Sequence, residues 1–179
     1  LISEELGLDS IQVRKDLALT GIAGKPKLGF NLGELLQALY HTLNWDNSND
    51  AFLAGAGSLG SALLGYKTFK DYGLNIIAAF DINPAHIGSK INETEILPID
   101  KLAEMINRMH VNIGVICVPA DEAQQTADIM VQGGIKAIWN FAPVHLKVPA
   151  GIIVENAQLS QSLGVLTHKL AERLKPNTK

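Results

Sequence analysis

Residues 51–60 read Ala51-Phe52-Leu53-Ala54-Gly55-Ala56-Gly57-Ser58-Leu59-Gly60, and these ten residues decide the fold. Ala51 to Ala54 is a short apolar strand, and Gly55 to Gly60 is a complete G-x-G-x-x-G. Ser58 to Lys70 then reads as a helix ended at Gly73, and Leu74 to Phe80 as an apolar strand closed by Asp81. Asp81 stands 21 residues after Gly60, close to the ~20 of the dinucleotide fingerprint. Each part has a physical task. Gly55 makes the tight turn, Gly57 admits a pyrophosphate to the backbone, and Gly60 lets helix and strand approach. Ala56, Ser58 and Leu59 lie in the loop whose N–H groups, with the helix dipole, receive phosphate. Asp81 can accept from both hydroxyls of an adenine ribose and would repel a 2′-phosphate. Neighbouring Ile82 and Asn83 supply no arginine to hold one. The pattern therefore points to NAD, as NADH and NAD+, rather than to NADP(H). A glycine-rich helix start that binds coenzyme A, or nothing, is the alternative.

Outward from this stretch the chain keeps one rhythm. Helices are expected at Asp100–Met109, Asp121–Val131 and Ala157–Leu174, and strands at Asn112–Val118, Lys136–Phe141 and Ile152–Val154. Continuous apolar strands alternating with helices mean an α/β fold with a parallel sheet covered on both faces. Two strands end in Val118-Pro119 and in Asn140-Phe141-Ala142-Pro143, and carboxyl ends of strands are where such sheets bind ligands. These turns are candidate walls for a nicotinamide, or simple strand-to-loop punctuation. Upstream, Asn44 to Asp50 is rich in turn formers and reads as a linker. Before it come three helical signals: Ser3 to Leu6, stopped by Gly7; a helix from Ser10 with Asp9 and Gln12 spaced as a capping box; and a leucine-striped helix opened by Asn31.

The 179 residues, 47% hydrophobic and 18% charged, with mean hydropathy +0.15, exclude an intrinsically disordered chain. The length suits one domain or a tight pair. A single cysteine, Cys117, excludes a disulfide framework and a multi-cysteine metal site. No apolar run reaches the ~20 residues that span a bilayer; the best candidate, Ala51 to Tyr66, is broken by four glycines. The N-terminus has no signal-peptide pattern and no initiator Met, so the expectation is a soluble cytoplasmic protein whose chain starts inside a longer sequence. Net charge is −3, but residues 10–30 sum to +3 through Arg14, Lys15, Lys25 and Lys27 against Asp16. Five histidines, His41, His86, His110, His145 and His168, fit no known catalytic or metal spacing and are expected to be solvated or structural. Cys117 reads as an inert buried thiol.

Taken together, the segments Gln12 to Leu17, Gly24 to Phe30, Gly55 to Gly60, Phe80 to Pro84 with Ile87-Gly88, Val118-Pro119, Asn140 to Val144 and Val154-Glu155-Asn156 resemble the Rex family of redox-sensing transcriptional repressors. The likeness covers nearly the whole chain. It implies an N-terminal winged-helix (helix-turn-helix) domain over 1–46, a Rossmann-type NAD(H)-binding domain over 50–155, and a C-terminal helix over 156–175 swapped onto the partner of a homodimer. It implies operator DNA as partner. Ser10 to Leu19 would be the recognition helix, with Ser10, Gln12, Arg14 and Lys15 towards bases or phosphates, and Lys25 and Lys27 on the wing. Two departures stand out. The segment before Gln12 is shorter than in the family, whose first helix is absent, and Gln158 and Leu159 replace a commonly acidic and a known aromatic residue.

The function this implies is repression relieved by NADH, in which a fairly apolar pocket of Val118, Pro119, Phe141, Ala142 and Pro143 disfavours the cationic ring of NAD+. The rivals are a small NAD-dependent oxidoreductase and a coenzyme A-binding Rossmann protein. Only 38 residues follow Phe141, little room for the substrate domain of a dehydrogenase.

Overall fold

The structure is a computed structural model, and it describes residues 2–25, 28–157 and 159–174. Close contacts divide the chain into two units, Leu1–Ser48 with Thr68–Leu74, and Asn49–Lys67 with Asn75–Lys179.

The first unit holds α1 (Ile2–Leu6), α2 (Ser10–Ala18) and α3 (Leu32–Thr42). Asp9 caps α2, accepting from the N–H of Ile11 at 2.8 Å and of Gln12 at 3.1 Å. The reciprocal half of the capping box is not made, because the Gln12 amide reaches forward to Asp16 Oδ1 at 2.7 Å. Asn31 caps α3 through Gly33 and Glu34 N–H. Between these helices Lys25 and Gly29 pair as an antiparallel bridge, each donating its N–H to the other's carbonyl at 2.7 and 2.9 Å. Trp45 packs edge-on to Tyr40 at 5.9 Å and tilted on Tyr72 at 4.6 Å between centroids. Leu35 is the buried residue of α3.

The second unit is a seven-stranded sheet in the order β3-β4-β2-β1-β5-β6-β7. Its strands are β1 (Asn49–Ala54), β2 (Leu74–Asp81), β3 (Lys90–Ile91), β4 (Thr94–Pro98), β5 (Ile113–Ile116), β6 (Ala137–Asn140) and β7 (Ile153–Asn156). β1 with β5, β2 with β4, β5 with β6 and β6 with β7 pair in parallel, and β3 with β4 pairs antiparallel. The helices are α4 (Ser58–Gly65), α5 (Leu102–Met109), α6 (Ala120–Gly133) and α7 (Leu159–Leu174). Phe52 and Phe80, edge to face at 5.1 Å, meet Leu102, Ile106, Ile116, Met130 and Ile138 in one core. Each such side chain contributes ~1.5–3 kcal/mol on burial.

Two expectations change. The helix from Ser58 stops at Gly65, where Tyr66 leaves helical geometry at ψ 85, and Lys67–Tyr72 continues as a separate 3-10 turn. The β3–β4 hairpin is an addition, and β4 lies parallel beside β2. Among the described residues, no helix is long and apolar enough to cross a membrane.

Candidate functional site

Strand order reverses direction of growth between β1 and β5, the switch point at which open α/β sheets leave a crevice beyond the strand ends. A cavity of about 240 Å³ sits there. Its walls include Gly55 and Gly57 after β1, Asp81 at the end of β2 with Ile82 after it, and Val118 and Pro119 after β5. Gly55 has φ +95, and a Cβ there would stand 2.7 Å from the Cys117 carbonyl; only glycine fits this turn. A Cβ on Gly60 would collide with the Gly55 carbonyl oxygen. Beside Gly57 the space is open, so the backbone there is accessible to a ligand. Volumes of ~300–1,000 Å³ are usual for whole small-molecule sites, so the cavity accommodates part of a dinucleotide.

Asp81 is the chemical centre of this cavity. Its Oδ2 accepts the Ala56 N–H at 2.8 Å and meets His86 Nδ1 at 3.0 Å, while Oδ1 accepts the Asn83 N–H at 2.8 Å. Burial pushes its pKa up, but the Asn83, His86 and Ala56 hydrogen bonds together outweigh burial and hold the carboxyl below its ordinary 3.8. An ionised acceptor beside an open glycine backbone fits the ribose and phosphate ends of NAD(H).

The remaining sequence candidates are placed as follows. Ala56 turns its N–H to Asp81, and Ser58, Leu59 and Gly60 form the first turn of α4. Asn140, Phe141, Ala142 and Pro143 make the next strand-end turn and do not line the cavity. Asn140 is buried, and its amide donates to the carbonyls of Ala142 and Val144 and to Asn156 Oδ1. Its side chain holds the turn together. Sequence reasoning missed His86, Glu122, Cys117 and Thr126 as lining residues. His86 was expected to be solvated or structural, and it pairs with Asp81. The Asn83-Pro84 turn was the available signal, since it folds a five-residue spacing back on itself. Burial pushes the Cys117 thiol up to about 12, so it stays neutral and unreactive.

On the first unit, Ser10, Gln12, Arg14 and Lys15 are exposed on α2. Arg14 and Lys25 border one concavity of about 620 Å³, together with Ala18, Gly24, Gly29 and Phe30. Cations from a helix and from an adjacent bridged turn thus converge, as phosphate contacts require. Lys27 and Gln158 lie outside the described residues.

Residues 46–144 match the family model described as CoA binding domain. The redox-sensing transcriptional repressor Rex of Caldanaerobacter subterraneus subsp. tengcongensis is 42% identical over 171 residues, covering 96% of this chain and 76% of the relative. Rex of Clostridium botulinum is 44% identical over 166 residues, covering 93% and 79%. Among solved structures, RSP, a Rex-family repressor, in complex with beta-NAD+ and operator DNA superposes with TM-score 0.88 at 39% identity, over 99% of this chain and 84% of that one. RSP in complex with beta-NADH superposes with TM-score 0.86 at 40% identity, over 96% and 80%.

Proposed function

The chain belongs to the Rex family of redox-sensing transcriptional repressors, and from that premise we propose how its residues divide the work. The protein is a repressor and not an enzyme. It binds operator DNA and NAD(H), and NADH releases it from the operator, so that repression follows the NADH/NAD+ ratio. In our reading, Gly55 to Gly60 receive the pyrophosphate, Asp81 and Ile82 hold the adenosine, and Val118 and Pro119 begin the wall towards the nicotinamide. Phe141, Ala142 and Pro143 extend that wall on a turn braced by Asn140. Arg14, Lys15 and Lys25 neutralise operator phosphates, with Ser10 and Gln12 beside them on the same helix; Lys27 completes the wing.

The observation that carries this reading is the pairing, in one chain, of a concavity bordered by Arg14 and Lys25 with a switch-point cavity centred on ionised Asp81. Coenzyme A is a poorer fit, because its adenosine ribose bears a 3′-phosphate that an ionised Asp81 would repel. A ligand moves an equilibrium only by its differential affinity for the two states; NADH therefore has to bind the DNA-free state more tightly than the DNA-bound one. The NAD+ ring is cationic and loses more on entering an apolar wall.

The C-terminal helix supports a homodimer. Leu163, Leu166, Leu170 and Leu174 repeat at helical spacing on α7, and each is more than half exposed. We assign this stripe to the partner subunit, as the family pattern implies, and we place the working dimer in the cytoplasm with the operator. The deciding experiment is operator binding followed by fluorescence anisotropy while NADH or NAD+ is added. NADH should weaken binding far more than NAD+ does; equal effects of the two would refute the proposed sensing.

A further inference from the structure

His86 follows Asp81 by five residues, on the loop after β2. Asn83 donates its N–H to Asp81 Oδ1, Ala85 donates its N–H to Asn83 Oδ1 at 3.0 Å, and Ser89 Oγ donates to the His86 carbonyl at 2.6 Å. These bonds fold the loop back and set His86 Nδ1 3.0 Å from Asp81 Oδ2. The imidazole side chain is 37% exposed and the carboxylate 10%, and both line the switch-point cavity. An ionised carboxylate only accepts, so Nδ1 carries the hydrogen and Nε2 is the atom that gains a proton in acid.

A carboxylate offers about four acceptor positions. On Asp81 three are taken, by Ala56 N–H, Asn83 N–H and His86 Nδ1–H. A ribose diol needs two. The Ala56 and Asn83 donors are backbone groups held by the glycine loop and the turn, whereas the His86 donor is a side chain able to swing away. We propose that His86 is a specificity-determining residue of the dinucleotide site: neutral, it yields its place on Asp81 to the 2′- and 3′-hydroxyls of NADH; protonated, it keeps that place and presents a positive charge to a 2′-phosphate. The inference rests on the cofactor reading given above. The other ionisable side chains facing the cavity are Asp81 from β2, Glu122 from the first turn of α6 and Cys117 after β5, while the α4 side contributes Gly57 and no charge. Of these types, histidine is the one that ordinarily changes charge between pH 5 and 8. Acidification therefore shifts preference from NADH towards NADPH.

The test measures NADH and NADPH affinities of the full chain by fluorescence titration at about pH 8 and about pH 5.5, a window that spans histidine titration. The NADPH 2′-phosphate itself gains a proton near pH 6, so wild type is compared with His86→Gln, which can donate but cannot become a cation. In wild type the NADPH-to-NADH affinity ratio should rise about fivefold more on acidification than in His86→Gln, the scale of one partly solvated charge pair. His86→Lys should show the raised ratio at both pH values. An equal rise in wild type and His86→Gln overturns the proposal and assigns the effect to the phosphate. Asp81→Ala separates the two layers. If it leaves NADH affinity unchanged, the cofactor reading of the cavity itself fails. If it weakens NADH while wild type and His86→Gln respond alike, only the role of His86 fails.

Discussion

Asn140 Nδ2 donates to Asn156 Oδ1 at 2.9 Å, tying the last residue of β6 to the last residue of β7. The same nitrogen lies 3.2 Å from the Ala142 carbonyl and 2.8 Å from the Val144 carbonyl, and Asn140 Oδ1 accepts the Ala142 N–H at 3.0 Å. Three acceptors around one atom allow only the amide nitrogen there. The backbone carbonyl of Asn140 also accepts the N–H of Ala157, two residues before α7 begins.

Asn140→Asp should consequently be more disruptive than Asn156→Ala. The first places an acceptor-only carboxylate against three oxygens in a buried site, and the second removes one of several partners. A loss of about 2–4 kcal/mol is expected for Asn140→Asp and about 1 kcal/mol for Asn156→Ala. Urea unfolding checks this through the midpoint at constant m. Equal midpoints for the two variants would remove Asn140 from its bracing role.

Asp81→Ala should weaken NADH binding and lessen discrimination against NADPH, since the ribose loses its acceptor and a 2′-phosphate loses its repeller. The same residue predicts a pH effect. The folded protein holds this carboxyl below its ordinary 3.8, so the folded state takes up its proton less readily than the unfolded chain. That contribution is full above about pH 4, and it is lost as pH falls through the folded value. The stability gap between wild type and Asp81→Ala, read from thermal unfolding, should thus narrow in acid. A gap that widens below about pH 4 contradicts the hydrogen bonds assigned to the ionised carboxylate.

The parts of this molecule that were legible in its sequence are those where local signals agree. The run Ala51 to Ala54, the glycines after it and the second apolar strand ending at Asp81 carry periodicity, turn chemistry and spacing at once, and all fall in place at the switch point. The β3–β4 hairpin was not legible, because Lys90–Ile91 is two residues long and Thr94–Pro98 mixes a carboxylate and a proline into five. Such strands are specified by pairing, β4 with β2 and the edge strand β3 with β4, rather than by their own pattern. Tyr66 breaks a helix whose composition alone favoured continuation. The Asp81–His86 pair and the approach of Arg14 and Lys25 to one concavity depend on turns that bring distant or oddly spaced residues together, which periodicity does not encode.

Arg14→Ala and Lys15→Ala should each lower operator affinity and leave NADH affinity as it was. Both side chains are exposed on α2, so stability should change little. A lost phosphate contact also lowers the slope of log affinity against log salt by about one. Anisotropy titrations at several salt concentrations measure both quantities. Wild-type operator affinity in both variants would overturn the assignment of α2 to the DNA.

The last prediction concerns α7. Leu163, Leu166, Leu170 and Leu174 step by three and four residues along one stripe, all exposed, and among the described residues the helix makes no extensive packing with another element. Apolar surface left in water costs ~25 cal/mol per Å², so a stripe of four leucines seeks cover, and a second copy can supply it symmetrically. Truncation after Ala157 keeps Asn156 and the Ala157 N–H bond to Asn140, so the brace between β6 and β7 survives the cut. The shortened chain should then sediment as a monomer, or aggregate through whatever surface α7 covered in its partner. It should retain some NADH binding, because the switch-point cavity draws no lining residue from α7. It should lose NADH-controlled release from the operator, because two half-sites are no longer bridged by one assembly. A truncated chain that sediments as a dimer and still releases DNA on adding NADH would show that the α7 stripe is not the dimer contact.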